Sequence, residues 1–309
     1  MKVAVRTACF CCAALLGALL LSNTAMAEAL PPASRSWSGT VAFVAEVDGQ
    51  DEIHLLDLAS RVTTRLTFNP GPDRAPAWSP NGQRLAYNSR RPPHDGQPEI
   101  YLTRMRDGFT RRVTRTSLEE QRAAWTRSGD GLLFQRGNFT TGFEIWHADL
   151  ASKTEARLTR INRQNSLDVA PDPSPTSDKI ILQTNRGAGA LFPFHLAVLR
   201  PGESRPRKFG PAIPDSVDGP RWSPDGRSIA FSAGGNLYLI DVRTRKLSQI
   251  TRGAASDISP DWSPDGGALI FQSDRRVKSG GIHIITLNDR RVSFLREGRT
   301  PVWTAAQHR

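Results

Sequence analysis

Five carboxylates stand at a nearly constant distance before a recurring residue. Asp73, Glu120, Asp168 and Asp257 lie five residues before Trp78, Trp125, Pro173 and Trp262, and Asp218 lies four before Trp222. Gathered at the mouth of a channel, such a set would form a negative ring. It would offer oxygen ligands to a hard cation such as Ca²⁺, or receive a basic peptide. The competing role is local: each acid caps its own turn by accepting nearby amide hydrogens.

Other residues with chemical potential point less clearly. His54, His195 and His283 occupy one column with Tyr101, Trp146 and Tyr238 on successive repeats. That column falls on strands well away from any common axis, so the imidazoles are expected to pack and not to share an ion. No Gly-x-Ser-x-Gly, His-Glu-x-x-His or Gly-rich phosphate loop occurs. The expectation is a non-enzyme with no resident cofactor beyond the Ca²⁺ option. One apolar loop, from Gly187 to Phe194, departs from its neighbours. Its Leu191, Phe192 and Phe194 suit a patch that grips a partner, or a flap folded over an adjacent unit.

The elements that hold these residues repeat. Arg221-Trp222-Ser223-Pro224-Asp225-Gly226 is echoed by Asp261 to Gly266, by Ala77 to Gly82 and, more loosely, by Ala124 to Gly129. Asp172 to Thr176 is a decayed copy with Pro173 in the Trp place, and Pro301-Val302-Trp303 is a last one. Each Pro-Asp/Asn-Gly turn leads into a short β-type run such as Ile229-Ala230-Phe231. A second run such as Asn236-Leu237-Tyr238 and a third such as Gln249-Ile250-Thr251 follow. Four strands per unit is the arithmetic of a propeller blade. Six such units fit the chain, with second strands starting near 40, 84, 132, 179, 228 and 268. The run at Thr40 has no anchor before it, and the anchor at Trp303 has no run after it. The expected fold is therefore all-β, a six-bladed propeller of four-stranded blades. It is closed by the C-terminal strand joining the first blade, which leaves no open sheet edge at the seam.

The line x-Pro-x-Trp-Ser-Pro-Asp-Gly-x-x-Ile-Ala-Phe-x-Ser is fullest at Arg221 to Ser232 and at Asp261 to Ser273. It resembles the TolB-type propeller repeat, over residues 38 to 303. The resemblance implies a periplasmic propeller and brings the Tol–Pal envelope system into view. The TolB family carries an α/β domain before its propeller; here only Glu28 to Trp37 stand between leader and repeats. Prolyl-oligopeptidase-like peptidases use the same repeat type.

The first 27 residues read as a signal peptide. Lys2 and Arg6 precede an apolar run, Ala13 to Leu21, and Ala25 and Ala27 form the small-residue cleavage pattern. The expected division is 1–27 signal, 28–37 N-terminal segment and 38–309 propeller. All three cysteines, Cys9, Cys11 and Cys12, leave with the signal, so no disulfide or thiolate chemistry is expected. The run is too short to span a bilayer. Of 309 residues 41 are Lys or Arg and 30 are Asp or Glu, a net charge of +11, which falls to +9 without Lys2 and Arg6. Such a balance ordinarily raises nucleic acid as a partner, but export argues against it. It points instead to weak contact with anionic envelope surfaces, or to the codon usage behind a high Arg content. The function expected is a periplasmic, non-enzymatic propeller that binds an envelope protein or peptide, with a Tol–Pal-like scaffold role in view. The alternatives are a hydrolase or lyase, or a small-ligand or sugar sensor, working in the channel.

Overall fold

A computed structural model describes residues 37–92, 96–161, 166–187, 193–213 and 215–308. Its strands form six four-stranded sheets. Blade 1 is built from Arg299–Thr304, Thr40–Val47, Gln50–Asp57 and Thr63–Arg65. Blade 2 has Asp73–Trp78, Arg84–Ser89, Glu99–Arg104 and Thr110–Arg112. Blade 3 has Glu119–Trp125, Gly131–Asn138, Gly142–Asp149 and Glu155–Arg157. Blade 4 has Asp168–Pro173, Ile180–Thr184, His195–Leu199 and Arg207–Lys208. Blade 5 has Val217–Trp222, Ser228–Ala233, Asn236–Asp241 and Leu247–Gln249. Blade 6 has Asp257–Trp262, Ala268–Ser273, Gly281–Thr286 and Val292–Glu297. Blade 1 closes as the sequence implies: Thr40 pairs with Thr304 and Val41 with Trp303.

Local hydrogen bonds explain why the repeat has its letters. The hydroxyls of Ser79, Ser223 and Ser263 each accept an amide five residues on, at 2.9 Å. Each also donates to the Asn81, Asp225 or Asp265 side chain two residues on. The glycine that follows takes positive φ (Gly82 67°, Gly226 70°, Gly266 71°), where it costs least. The Thr closing each Leu-Thr run has a similar task. Thr67, Thr114, Thr159 and Thr251 accept the amides of Ile53, Ile100, Ile145 and Leu237. They thereby tie each fourth strand back to its third.

The cores lie between neighbouring blades. Val41, Phe43 and Trp303 of blade 1 pack with Ile270 and Ile282 of blade 6, and Ala86 and Ile100 of blade 2 pack with Trp125 and Phe134 of blade 3. The anchor tryptophans are staples in these seams. The indole N–H of Trp125 donates to the Ala77 carbonyl, Trp222 to Asp172 and Trp262 to Arg221. Pro173 offers no such donor. The seam it faces, between blades 3 and 4, holds the small cluster of Leu182, Ala197 and Leu199.

Every first strand carries a bulge at the same place. There the pairing register slips, and one residue adopts the left-handed conformation: Ala75, Arg122, Ala170, Gly219, Ser259 and Thr300, with φ between 45° and 59°. A proline follows in five blades and Ala123 in blade 3. Proline has no N–H to give a ladder, so an unpaired bulge position suits it.

Candidate binding site at the channel mouth

The first strands line the central channel, and the bulge decides which side chains face it. The acids five residues before the anchor point away. Asp73, Glu120 and Asp168 are fully buried and Asp257 is 1% exposed. Each meets an arginine of its own blade: Arg91 at 3.8 Å, Arg136 at 2.9 Å, Arg186 at 2.5 Å and Arg275 at 2.5 Å, in that order. Three of these arginines also lie over an aromatic ring, with Arg91 above Tyr101 at 4.2 Å, Arg136 above Trp146 at 4.5 Å and Arg275 above Phe271 at 5.7 Å. These carboxylates are internal struts of the blades and do not form a negative ring around the channel. Each is ion-paired to an arginine, although Asp73, Glu120 and Asp257 each keep one buried oxygen without a hydrogen-bond partner, and among the described residues no group of three or more His, Cys, Asp or Glu is placed to hold a metal ion. Burial pushes the Asp73 and Glu120 carboxyls above their ordinary range, against the pull of Arg91 and Arg136 and of neighbouring hydroxyls.

Asp218 behaves differently. Val217 takes the buried place in blade 5, and Asp218 sits one residue on, 37% exposed. Its Oδ1 lies 2.8 Å from the Arg122 guanidinium of blade 3. Burial opposes ionisation of Asp218. The charge and hydrogen bond of Arg122, with the Gln183 side chain and the Gly219 amide, outweigh that and hold its carboxyl below the usual range. On the other side of the mouth the nearly buried Asp51 is shared by two guanidiniums, Arg74 at 2.5 Å and Arg299. The mouth thus presents three arginines against two carboxylates. Arginines outnumber acids among these paired side chains, in contrast to the expected negative ring, while Glu119 stands beside them and accepts from the channel-lining Gln121.

Below it lies a cavity of about 230 Å³, lined among others by Arg122, Asp218, Gly219, Arg221, Ser259 and Thr300. Its walls are held from behind. The amides of Arg122, Ala170, Gly219 and Thr300 donate to the side-chain carbonyls of Asn88, Gln135, Gln183 and Gln272, each on the preceding blade. Deeper still, Arg221 stands between Asp172 and Asp261, at 3.8 and 3.9 Å. Both acids accept the backbone amide of the next blade's tryptophan, Trp222 at 2.7 Å and Trp303 at 2.8 Å.

The histidines are packing residues. His54 lies against Phe43 with ring centroids 5.6 Å apart, and His283 against Phe271 at 5.7 Å. His195 is in the same column of blade 4, and burial lowers the pKa of all three. In the apolar loop of blade 4, Phe194 is 8% exposed and belongs to the core shared with blade 5, so it is not part of a gripping surface. Leu191 and Phe192 lie outside the described residues, as do residues 1–36, with the signal segment and the cysteines. Among the described residues no helix is long and apolar enough to cross a membrane.

Sequence reasoning missed Arg74, Arg122, Arg221, Arg299 and Asp51. One signal was visible: Arg122-Ala123 replaces the small residue and proline that fill the bulge in other blades.

Fold and site together define a closed six-bladed β-propeller whose channel mouth carries paired arginines. The chain belongs to the TolB beta propeller domain family, whose model matches residues 22–193 and 198–307. Among solved structures it is similar to TolB from Acinetobacter baumannii, with 20% identity, TM-score 0.71 and coverage of 87% of this chain and 67% of that one. It is also similar to a putative TolB from Agrobacterium tumefaciens, at 18% identity, TM-score 0.66 and 85% and 91% coverage. An oligogalacturonate lyase in complex with manganese matches at 13% identity, TM-score 0.53 and 83% and 73% coverage. These likenesses establish the architecture.

Proposed function

We propose that the protein is an exported, periplasmic binding propeller without catalytic activity, which receives an acidic segment of an envelope protein at the channel mouth. Membership of the TolB propeller family supports the compartment and a Tol–Pal-like scaffold role. The observation that carries the binding mode is the mouth itself, where Arg74, Arg122 and Arg299 surround Asp51 and Asp218 above a walled cavity. A guanidinium is planar and multi-donor, suited to peptide carboxylates. This reading reverses the charge of the partner expected from the acid column, and it requires no cofactor.

Fluorescence anisotropy with a labelled octaglutamate, and with octaglutamine as control, tests it. The acidic peptide should bind, the control should not, and added salt should weaken the complex. A double substitution Arg74→Gln/Arg122→Gln should reduce affinity at least about tenfold, each lost charge-assisted contact being worth about 1.5–3 kcal/mol. Equal binding of both peptides, or an unchanged affinity in the double variant, would overturn the reading.

A further inference from the structure

The face opposite the mouth carries a second pattern. Strands alternate in direction, so in every blade the turn between third and fourth strands emerges on the far face. Each of these six turns bears an exposed cation: Arg61, Arg106, Lys153, Arg205, Lys246 and Arg290. Acids share these turns, and Asp107 pairs with Arg106 at 3.5 Å as well as with Arg104. Asp57, Asp107, Asp149, Asp241 and Asp289 each accept an amide hydrogen of their own turn. Arg200, Arg243, Arg245 and Arg291 add further exposed cations, so these turns carry more cations than acids. In four turns a long cationic side chain even occupies the left-handed position: Arg61, Lys153, Arg245 and Arg290, with φ between 58° and 64°. Glycine holds that position in the other two, Gly108 and Gly202, as backbone preference alone would favour.

Apolar groups break the same surface in one sector. Val62 is 59% exposed and Phe109 is 56% exposed, at matching positions in the turns of blades 1 and 2. A groove lined by Leu55, Ala59, Val62 and Met105 opens beside them.

We infer that this face docks on an anionic lipid bilayer, with the six turn cations on the headgroups and Phe109 and Val62 entering the interface. Geometry selects the partner. Cations on the same face of all six blades match an extended negative surface, whereas a linear chain would meet only adjacent turns. An exposed aromatic beside cations is the pairing that interfacial binding uses. The inference goes beyond the mouth and does not depend on it, since the two sites lie on opposite faces.

Flotation with vesicles of phosphatidylglycerol and phosphatidylethanolamine (1:3), against pure phosphatidylcholine vesicles, tests the inference on the full chain. The protein should float with the anionic vesicles and not with the zwitterionic ones. The triple substitution Arg61→Gln/Arg106→Gln/Lys153→Gln should weaken partitioning about a hundredfold, from about fivefold for each charge. Phe109→Ser should weaken it severalfold at unchanged charge. Phe109→Trp should show a blue-shifted emission on vesicles, a readout a purely electrostatic contact would not give. Arg115→Gln, exposed on the mouth face, should change partitioning less than twofold. Absence of anionic-vesicle binding, equal binding by the triple variant, or loss of octaglutamate binding in that variant without any vesicle binding would each overturn it. The last result would assign the face to a soluble anionic chain instead.

Discussion

Arg122 and Asp218 meet at 2.8 Å across the channel, joining blade 3 to blade 5 past the blade between them. Both side chains are partly exposed, 42% and 37%, so the pair contributes at most about 1 kcal/mol to stability. Its consequence is for access, because the contact spans the entrance to the cavity. Arg122→Gly, which suits the left-handed backbone at φ 52°, should shift the melting temperature by no more than about 2 °C while weakening octaglutamate binding. A large loss of stability with intact binding would make the pair a structural brace and not part of the entrance.

The deep acid Asp172 should leave a mark on the pH profile. Burial pushes its carboxyl up to about 7, against the pull of Arg221 and the Trp222 amide and with Asp261 adding to the rise. In the unfolded chain the group titrates near 3.8. Between those values the folded protein holds the extra proton, so stability falls as pH climbs from about 4 to about 7 and then levels. Asp172→Asn keeps an acceptor for Trp222 and removes the titration. Thermal melts should show a shallower slope over that interval and a variant more stable than wild type at pH 8. Identical slopes would refute the assignment.

Arginine content has a structural share. Arg136 is 5% exposed, bonds Glu120 at 2.9 Å and Glu155 at 2.6 Å, and lies over Trp146. A lysine can reach one acid but cannot present two planar donors and a stacking face together. Arg136→Lys should cost about 2–3 kcal/mol in urea denaturation, somewhat less than outright breakage of a buried pair. A loss below about 0.5 kcal/mol would return the arginine count to codon usage.

The seams should differ in strength. Trp262→Ala removes a buried ring and the bond to the Arg221 carbonyl, for about 3–5 kcal/mol. Hydrogen exchange in the native protein should be faster for amides flanking the blade 3–4 seam, where Pro173 replaces the staple, than for those around Trp262. Uniform protection around the ring would show that the small cluster there suffices.

The sequence made the ring readable because each repeat letter has a local task that leaves little choice. Ser79 needs Asn81 and the Arg84 amide, and Thr67 needs the Ile53 amide; such bonds span few residues or one hairpin. The facing of the acids was not readable. A strand residue changes side with every step, and the bulge at Ala75 or Ser259 adds a residue between acid and anchor. An offset of five therefore turns Asp73 and Asp257 inward, and an offset of four turns Asp218 to the channel. A one-residue difference in spacing thus concealed opposite directions in space. The arginines of the mouth lay outside the acid pattern, and their partners come from other blades, as Arg299 and Asp51 show.

The seam between Thr40 and Thr304 also orders events in time. Blade 1, whose Thr40–Val47 precedes the other five blades in the chain, lacks its innermost strand until Arg299–Thr304 is made. Until then Thr40–Val47 exposes a bare edge able to pair with any neighbouring chain, and contacts of such sequence separation form slowly. The ring is thus a late-completing object, and the interval before its last strand arrives is when the chain most needs protection from its own copies.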